Sequence, residues 1–454
     1  MSSPQPAFYQ IPEPHWLLGS GRDISRAPHL FFAGIALNAG GFARFRILHR
    51  QFASITDPDM ANHVLVSGSK RYGKSFHHRN LGIIVGNGLI ASEGDLWRKN
   101  RRQVQPSFRP DAMHRVVPAV AGSVERLFRT EWDSAIEAGN SLSAGRAMQR
   151  LTLLAMGQML FSVDIPADES ASLGATLRDS LIFLRRRNLS LIQPPLWFAS
   201  ANNRRLLRCK QTLDAFVDRY VSARLTTVQP HLPDMLNALI AARDPETGDP
   251  LSHEDLVDQT KSLLLAGYET TGVALSWALY LIARHPEVAG RLQEEVDRVL
   301  KGRLPAFEDL PRLQYTAQVI HETLRLYPPL YTTARRCIED DEVGGHAVRK
   351  GCVIVISIYG MHRNPAWGQD PESFRPERFA PDSNWPKRSY VPFSNGKHIC
   401  LGNHFAVIEM VIAIAMISQR YRLACMEDNP VEALGIVGLV PGRDILLKVT
   451  PREF

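Results

Sequence analysis

The chain is poor in cysteine. Five occur in 454 residues, Cys209, Cys337, Cys352, Cys400 and Cys425, and no two stand at CxxC spacing. An odd, scattered set excludes a disulfide framework and a zinc ribbon, and points to a reducing compartment. Long apolar runs are also missing: no stretch of about 18 uninterrupted apolar residues occurs, as a membrane span would need. The opening MSSPQPAFYQIPEPHWLLGSGRD lacks the basic segment and apolar run of a leader. The expectation is a cytoplasmic protein without a transmembrane anchor. Charge of one sign is not in large excess, with 53 basic against 46 acidic residues and a formal charge of +7. The basic residues lie among acids, so nucleic acid is not an expected partner. Internal repeats and low-complexity segments are absent too.

What is present is ordinary for a folded enzyme: 44% hydrophobic and 22% charged residues, enough to bury a sizeable core. The segment GFARFRILHRQFASITDP alternates in the manner of two short strands and a turn. From about residue 92 to 300 the apolar spacing becomes helical. The connection NLSLIQPPLWFASANN, residues 188–203, could be a lid, a surface that touches a membrane, or a plain loop between helices. Ser252 then offers an N-cap to a long helical pattern that stops before Pro286, apolar enough along its middle to be buried. Strand-like pieces in EVGGHAVRKGCVIVISIYG lead into a Pro-rich irregular stretch to His398. A final helix, FAVIEMVIAIAMISQRY, and a last strand, RDILLKVTP, follow. A single mainly α domain with small β-sheets, an α+β organisation over residues 1–454, fits this order. Its small strand-rich part lies near 40–70, 330–360 and 435–450.

The stretch VPFSNGKHICLGNHF, residues 391–405, raises the chemical question. A cysteine that ligates a metal needs a lowered thiol pKa, and backbone N–H groups with a following helix N-terminus supply one. Gly396 permits a turn at positive φ, Gly402 lets the first helical turn lie against something large and planar, and Phe393 can cover the sulfur. A second element, AGYETT at 266–271, sits inside the long helix. Gly267 weakens the helix there, a Thr hydroxyl can bond back to the backbone, and Glu269 beside Thr270 makes an acid–alcohol pair. A carboxylate in a buried helix must be paired, solvated or used. HETLRLYPP places Glu322 and Arg325 three apart on one helix face, and WRKNR places Trp97 and Arg101 four apart on another.

Taken together these motifs resemble the cytochrome P-450 family, over roughly residues 50 to 450. FSNGKHICLG is similar to its haem-binding signature, which implies haem b with Cys400 as axial thiolate and metal ligand, framed by Phe393, Gly396 and Gly402. His398 stands where that family usually has Arg, and its implied role is a hydrogen bond to a haem propionate. The resemblance implies the family's fold, with the haem between the long central helix and the helix after the cysteine loop. It makes Glu269 and Thr270 the catalytic acid and alcohol, and Glu322, Arg325 and Arg378 of FRPERF a structural triad. Trp97, Arg101 and Arg336 are the implied propionate partners, with Arg335 competing for the place of Arg336. Leu264, Ala266, Leu330, Thr332, Thr333 and Val437 would line the substrate pocket.

The activity implied is a haem-thiolate monooxygenase acting on a hydrophobic small molecule such as a terpenoid, fatty acid or polyketide. The alternatives are a peroxygenase or isomerase of the same cofactor class and a non-catalytic haem-binding sensor. With no fused reductase expected, electrons from NAD(P)H would arrive through a separate ferredoxin or flavodoxin and its reductase. Arg98, Lys99, Arg101, Arg102 and Lys397 are candidates for that docking face. A monomer is expected.

Overall fold

The computed structural model describes residues 19–48, 50–108, 110–190, 193–227, 232 and 234–452. The leader question belongs to residues 1–18 and lies outside the described residues, as do Leu191 and Ile192 of the 188–203 connection. The chain divides into two compact units. One comprises Met1–Phe76, His321–Cys400 and Glu432–Gly442; the other comprises His77–Ile320, Leu401–Val431 and Arg443–Phe454.

The first unit is built on a five-stranded sheet. Its strands run in the order Phe42–Ile47, Arg50–Ile55, Val353–Ser357, Thr332–Cys337 and Tyr72–Lys74. The expected hairpin forms, with Phe42 opposite Ile55 and Ile47 opposite Arg50. Val353–Ser357 is buried at every position, which is why VIVIS reads as a continuous apolar run rather than an alternating one. It lies parallel to Arg50–Ile55 and antiparallel to Thr332–Cys337. Ile55, Val64, Leu65, Tyr72, Ile354 and Ile356 form the core on one side of it. A small hairpin, Ala433–Gly435 with Leu439–Pro441, is held to the Pro-Pro turn by the Leu439 N–H donating to the Pro329 carbonyl at 2.9 Å.

The second unit is helical around His253–Arg284, a helix of 32 residues and about 48 Å. Ser252 caps it as expected: its hydroxyl accepts from the Asp255 N–H at 3.1 Å while the Asp255 carboxylate accepts from the Ser252 N–H at 3.3 Å. This reciprocal pair satisfies two of the amides that a helix start leaves open. The helix packs on Ala144–Phe161, and two of its glycines set the separation. A Cβ at Gly267 would fall 2.4 Å from the Met156 sulfur, and one at Gly272 would fall 3.2 Å from the Thr152 hydroxyl. Gly267 therefore serves close helix packing as well as local weakening. Asn403–Arg420 also packs on the long helix, and Tyr421–Cys425 pairs with the last strand, Leu446–Pro451.

Candidate active site

In the first unit the loop from Val391 to Cys400 closes on itself. The Ser394 N–H donates to the Val391 carbonyl at 3.0 Å, and the Cys400 N–H donates to the Phe393 carbonyl at 3.0 Å. Ser394 at φ 62° and Gly396 at φ 70° both occupy the left-handed region. Only Gly396 requires glycine twice over, because a Cβ there would fall 2.0 Å from the Leu65 carbonyl oxygen. Cys400 emerges exposed, and Phe393 and His398 are half-buried. Gly402, at the cap of Asn403–Arg420, has φ −86° and a Cβ there would make only ordinary contact with Phe108 at 3.7 Å. No protein atom demands a glycine at that position.

Glu322 and Arg325 lie on the Gln314–Leu326 helix with no exposed side-chain surface. The pair is bidentate: Arg325 Nε to Glu322 Oε2 and Nη2 to Oε1, both at 2.7 Å. Arg325 also donates to the carbonyls of His362, Pro371 and Ser373. Arg378 Nε stands 3.3 Å from Glu322 Oε1, and its Nη1 reaches the Trp367 carbonyl at 2.9 Å. The Arg375 N–H supplies a further donor to Glu322 at 3.0 Å. The Glu322–Arg325 pair is answered in full, as a buried ion pair requires, while Arg378 Nε faces Glu322 without a hydrogen bond.

Sequence reasoning missed His362, which joins this network to the cysteine loop. Its Nδ1 lies 3.0 Å from the Arg325 carbonyl, and its Nε2 accepts from the Val391 N–H at 3.0 Å. The two partners fix a neutral ring protonated at Nδ1. Burial lowers its pKa to about 3. No periodicity marks His362, because it lies at the start of the irregular stretch; its signal was a polar residue with no helix or strand face to occupy.

Arg335 and Arg336 are separated by strand alternation. Arg336 is exposed, while Arg335 is 5% exposed and donates from Nη1 to the Thr333 hydroxyl and the Ala334 carbonyl at 3.0 Å. Of the expected propionate partner Arg336 and its competitor Arg335, the strand turns Arg335 into the interior and Arg336 outward. Thr332 and Thr333 are half-buried on the same strand, Leu330 is exposed, and Val437 at the tip of the small hairpin is half-buried. The Leu439–Pro329 bond brings that tip to the turn preceding Leu330.

In the second unit the long helix is buried from Leu256 to Ile282 except along one strip. Leu263, Ala266, Gly267, Glu269 and Thr270 keep accessible surface, with Ala266 the most open. Leu264 has none, so its expected place in a pocket wall is corrected: at one residue's rotation it points into the helix packing. The Thr270 hydroxyl donates to the Ala266 carbonyl at 2.6 Å. Thr152 places its hydroxyl 3.1 Å from both the Tyr268 and the Gln149 carbonyls. Glu269 Oε2 is buried without a hydrogen-bond partner. Burial raises the Glu269 pKa, and the Arg178 guanidinium partly offsets that rise.

Trp97 and Arg101 are half-buried on Gly94–Val104, and Arg101 Nε lies 3.4 Å from Gln105 Oε1. The surrounding basic cluster is less available than its sequence suggested. Arg98 pairs with Asp95, and Arg102 is held by Asp244 at 3.1 Å and Glu246 at 2.9 Å. These internal pairs, one of them reaching 142 residues along the chain, hold part of the charge expected for the docking face. Lys397 donates to the Ser69 carbonyl at 3.0 Å.

The residues fit a haem by their chemistry. One soft sulfur ligand stands exposed on a closed loop, a buried arginine and further cationic donors are present, and a carboxyl oxygen lacks a partner on the accessible strip. Among the described residues no group of His, Cys, Asp and Glu could hold a metal ion without such a cofactor. No described helix is long and apolar enough to cross a membrane.

The family model described as Cytochrome P450 matches residues 10–444. Cyclooctatin synthase of Streptomyces melanosporofaciens is 33% identical over 412 residues, covering 90% of this chain and 88% of that protein. Cyclooctat-9-en-7-ol 5-monooxygenase of the same organism is 31% identical, covering 90% and 87%. Protein LUTEIN DEFICIENT 5, chloroplastic, of Arabidopsis thaliana is 30% identical over 413 residues, covering 87% and 69%.

Proposed function

The chain belongs to the cytochrome P450 family and is a monooxygenase, and from that premise we propose that it inserts one oxygen atom into a C–H bond or double bond of a hydrophobic small molecule. Haem with thiolate ligation is the family's cofactor, and when bound it supplies the activation of dioxygen. In this reading Cys400 would hold it through its thiolate, and Arg335, Trp97, Arg101 and His398 would donate to its carboxylates.

The side chains of this protein then manage protons. Thr270 Oγ1, resting on the Ala266 carbonyl, can release that bond and pass its hydrogen on. Glu269, with its pKa raised, can hold a proton at a carboxyl oxygen and resupply the hydroxyl. The observation that carries the reading is this pair on the accessible strip of an otherwise buried helix. Electrons come from NAD(P)H through a ferredoxin or flavodoxin-type protein and its reductase, to a monomeric enzyme in the cytoplasm.

Among terpenoid, fatty acid and polyketide substrates we favour a terpenoid-like cyclic skeleton. One relative is named for cyclooctat-9-en-7-ol, by its name a cyclic alkenol. Ala266, Leu330, Thr332, Thr333 and Val437 suit it, being small or apolar apart from two hydroxyls able to orient one polar group. Reconstitution with a surrogate ferredoxin, its reductase, NADPH and isotope-labelled dioxygen tests the proposal. Cyclic alkenols should gain one labelled oxygen atom. Product without label, or conversion that proceeds with peroxide alone, would contradict it.

A further inference from the structure

Residues 86–93 connect helix Phe76–Val85 to helix Gly94–Val104, which carries Trp97 and Arg101. Both backbone groups of Asn87 in this connection are taken, by two different helices. Its N–H donates to Asp258 Oδ2 on the long helix at 2.7 Å, and its carbonyl accepts from Asn100 Nδ2 on the Trp97 helix at 2.8 Å. Asn100 also donates to the Ser92 hydroxyl at 3.1 Å, and the Leu89 N–H donates to Gln259 Oε1 at 2.9 Å. All three side chains are withdrawn from water, Asp258 at 6% exposure, Gln259 at 1% and Asn100 at 2%. The sequence VGNGLI has its glycines where the long helix leaves no room. A Cβ at Gly86 would fall 2.1 Å from the Asp258 carboxylate, and one at Gly88 would fall 2.5 Å from the Asp258 carbonyl oxygen.

The carboxylate is itself held in place. Lys261, 4% exposed, stands 3.0 Å from Asp258 Oδ1 and donates to Asp214 Oδ1 of helix Ala201–Thr226 at 2.6 Å. One oxygen of Asp258 therefore meets an ammonium and the other a loop amide, which fixes the group in rotation as well as in position. Packing a loop on a helix needs no buried charge, and an unanswered one would cost stability. Here the charge is answered by Lys261 and directed at a single residue, Asn87, whose other backbone group steers the next helix.

We propose that Asp258 is a positioning residue for cofactor binding: through Asn87 and Asn100 it sets the helix of Trp97 and Arg101 in register with the long helix, so that both donors meet the haem carboxylates already oriented. The inference rests on the reading of Trp97 and Arg101 as donors to those carboxylates. Donors held by a rigid supporting contact lose less freedom on binding than donors on a loose helix.

Two independent readouts on the holoenzyme test it, amide hydrogen exchange and transfer of haem to apomyoglobin. Asp258→Ala should raise exchange about tenfold or more over residues 86–104 while helix Ala144–Phe161 stays protected, and it should speed haem transfer several-fold. Asp258→Asn keeps an oxygen to accept the Asn87 N–H and should restore most of both. Gly86→Ala pushes the loop off the same carboxylate and should mimic Asp258→Ala, and the two changes together should fall well short of the sum of the singles. Haem transfer at the wild-type rate in D258A, while R101A speeds it, would overturn the proposal. So would a uniform rise in exchange over the whole helical unit, the mark of a merely structural acid, or strict additivity in G86A/D258A. Transfer unchanged in both D258A and R101A would remove the reading of Arg101 itself, and the proposal with it.

Discussion

Glu322 and Glu269 are both helical glutamates with carboxyl groups withdrawn from water, and the protein treats them in opposite ways. Glu322 accepts two bonds from Arg325, one from the Arg375 N–H, and faces Arg378 at 3.3 Å. Glu269 has an oxygen with no partner, the Arg178 guanidinium acting on it, and a pKa pushed upward by burial. A satisfied carboxylate is fixed in charge and position and serves as scaffold. An under-satisfied one keeps its proton in play and so can serve chemistry, at a cost to stability that the rest of the fold absorbs.

Substitutions should separate the two roles. Glu322→Ala strands Arg325 and Arg378 in the interior and should cost about 3–5 kcal/mol, seen as a collapse of Tm and of haem retention before any kinetic effect. Retention of haem and Tm would show that the network is dispensable. Thr270→Ala, next to the under-satisfied acid, should leave Tm nearly unchanged while product per NADPH falls about tenfold or more. Unchanged coupling would remove the proton role from this pair.

The contrast extends to pH through two other buried groups. His362, with its pKa lowered to about 3, stays neutral in the folded state while the unfolded chain takes up a proton below its ordinary value of 6.5. Stability from it is therefore complete above 6.5 and is lost as pH falls, by about 2 kcal/mol at pH 5. Glu409 is the reverse case: fully enclosed, with its pKa raised from 4.5 to about 8, it stabilises below 4.5 and loses that contribution as pH rises through 8. Denaturant titrations should show His362→Asn flattening the acid limb and Glu409→Gln flattening the alkaline one. Limbs unmoved by either change would refute these assignments. The smallest expected effect distinguishes neighbours on one strand. Arg335→Ala should lower haem affinity several-fold and Arg336→Ala should leave it within error, measured by transfer of haem to apomyoglobin; equal losses would return the role to both.

Much of the scaffold was legible from local signals. Ser252 and Asp255 announce the long helix, VIVIS announces a fully buried strand, and Gly396 announces a turn at positive φ. The Cys400 loop was legible because its chemistry needs several residue types at fixed spacing. What was not legible depended on partners far along the chain or on a register of one. Arg335 and Arg336 differ only in which face the strand turns inward. Leu264 and Ala266 differ by the helix rotation between them. Arg102 is held by Asp244 and Glu246, partners more than a hundred residues away that no local motif announces. His362 acts through two backbone groups, the Arg325 carbonyl and the Val391 N–H, and backbone partners leave no trace in a sequence.

The central claim is that Cys400 carries the cofactor through its thiolate, and one spectrum tests it most directly. The purified protein, reduced and exposed to carbon monoxide, should give the red-shifted Soret band of a thiolate-ligated ferrous haem, and Cys400→Ala should abolish it while the far-UV spectrum persists. A band at the position of an imidazole-ligated haem in the folded wild type, or one that survives Cys400→Ala, would contradict the account.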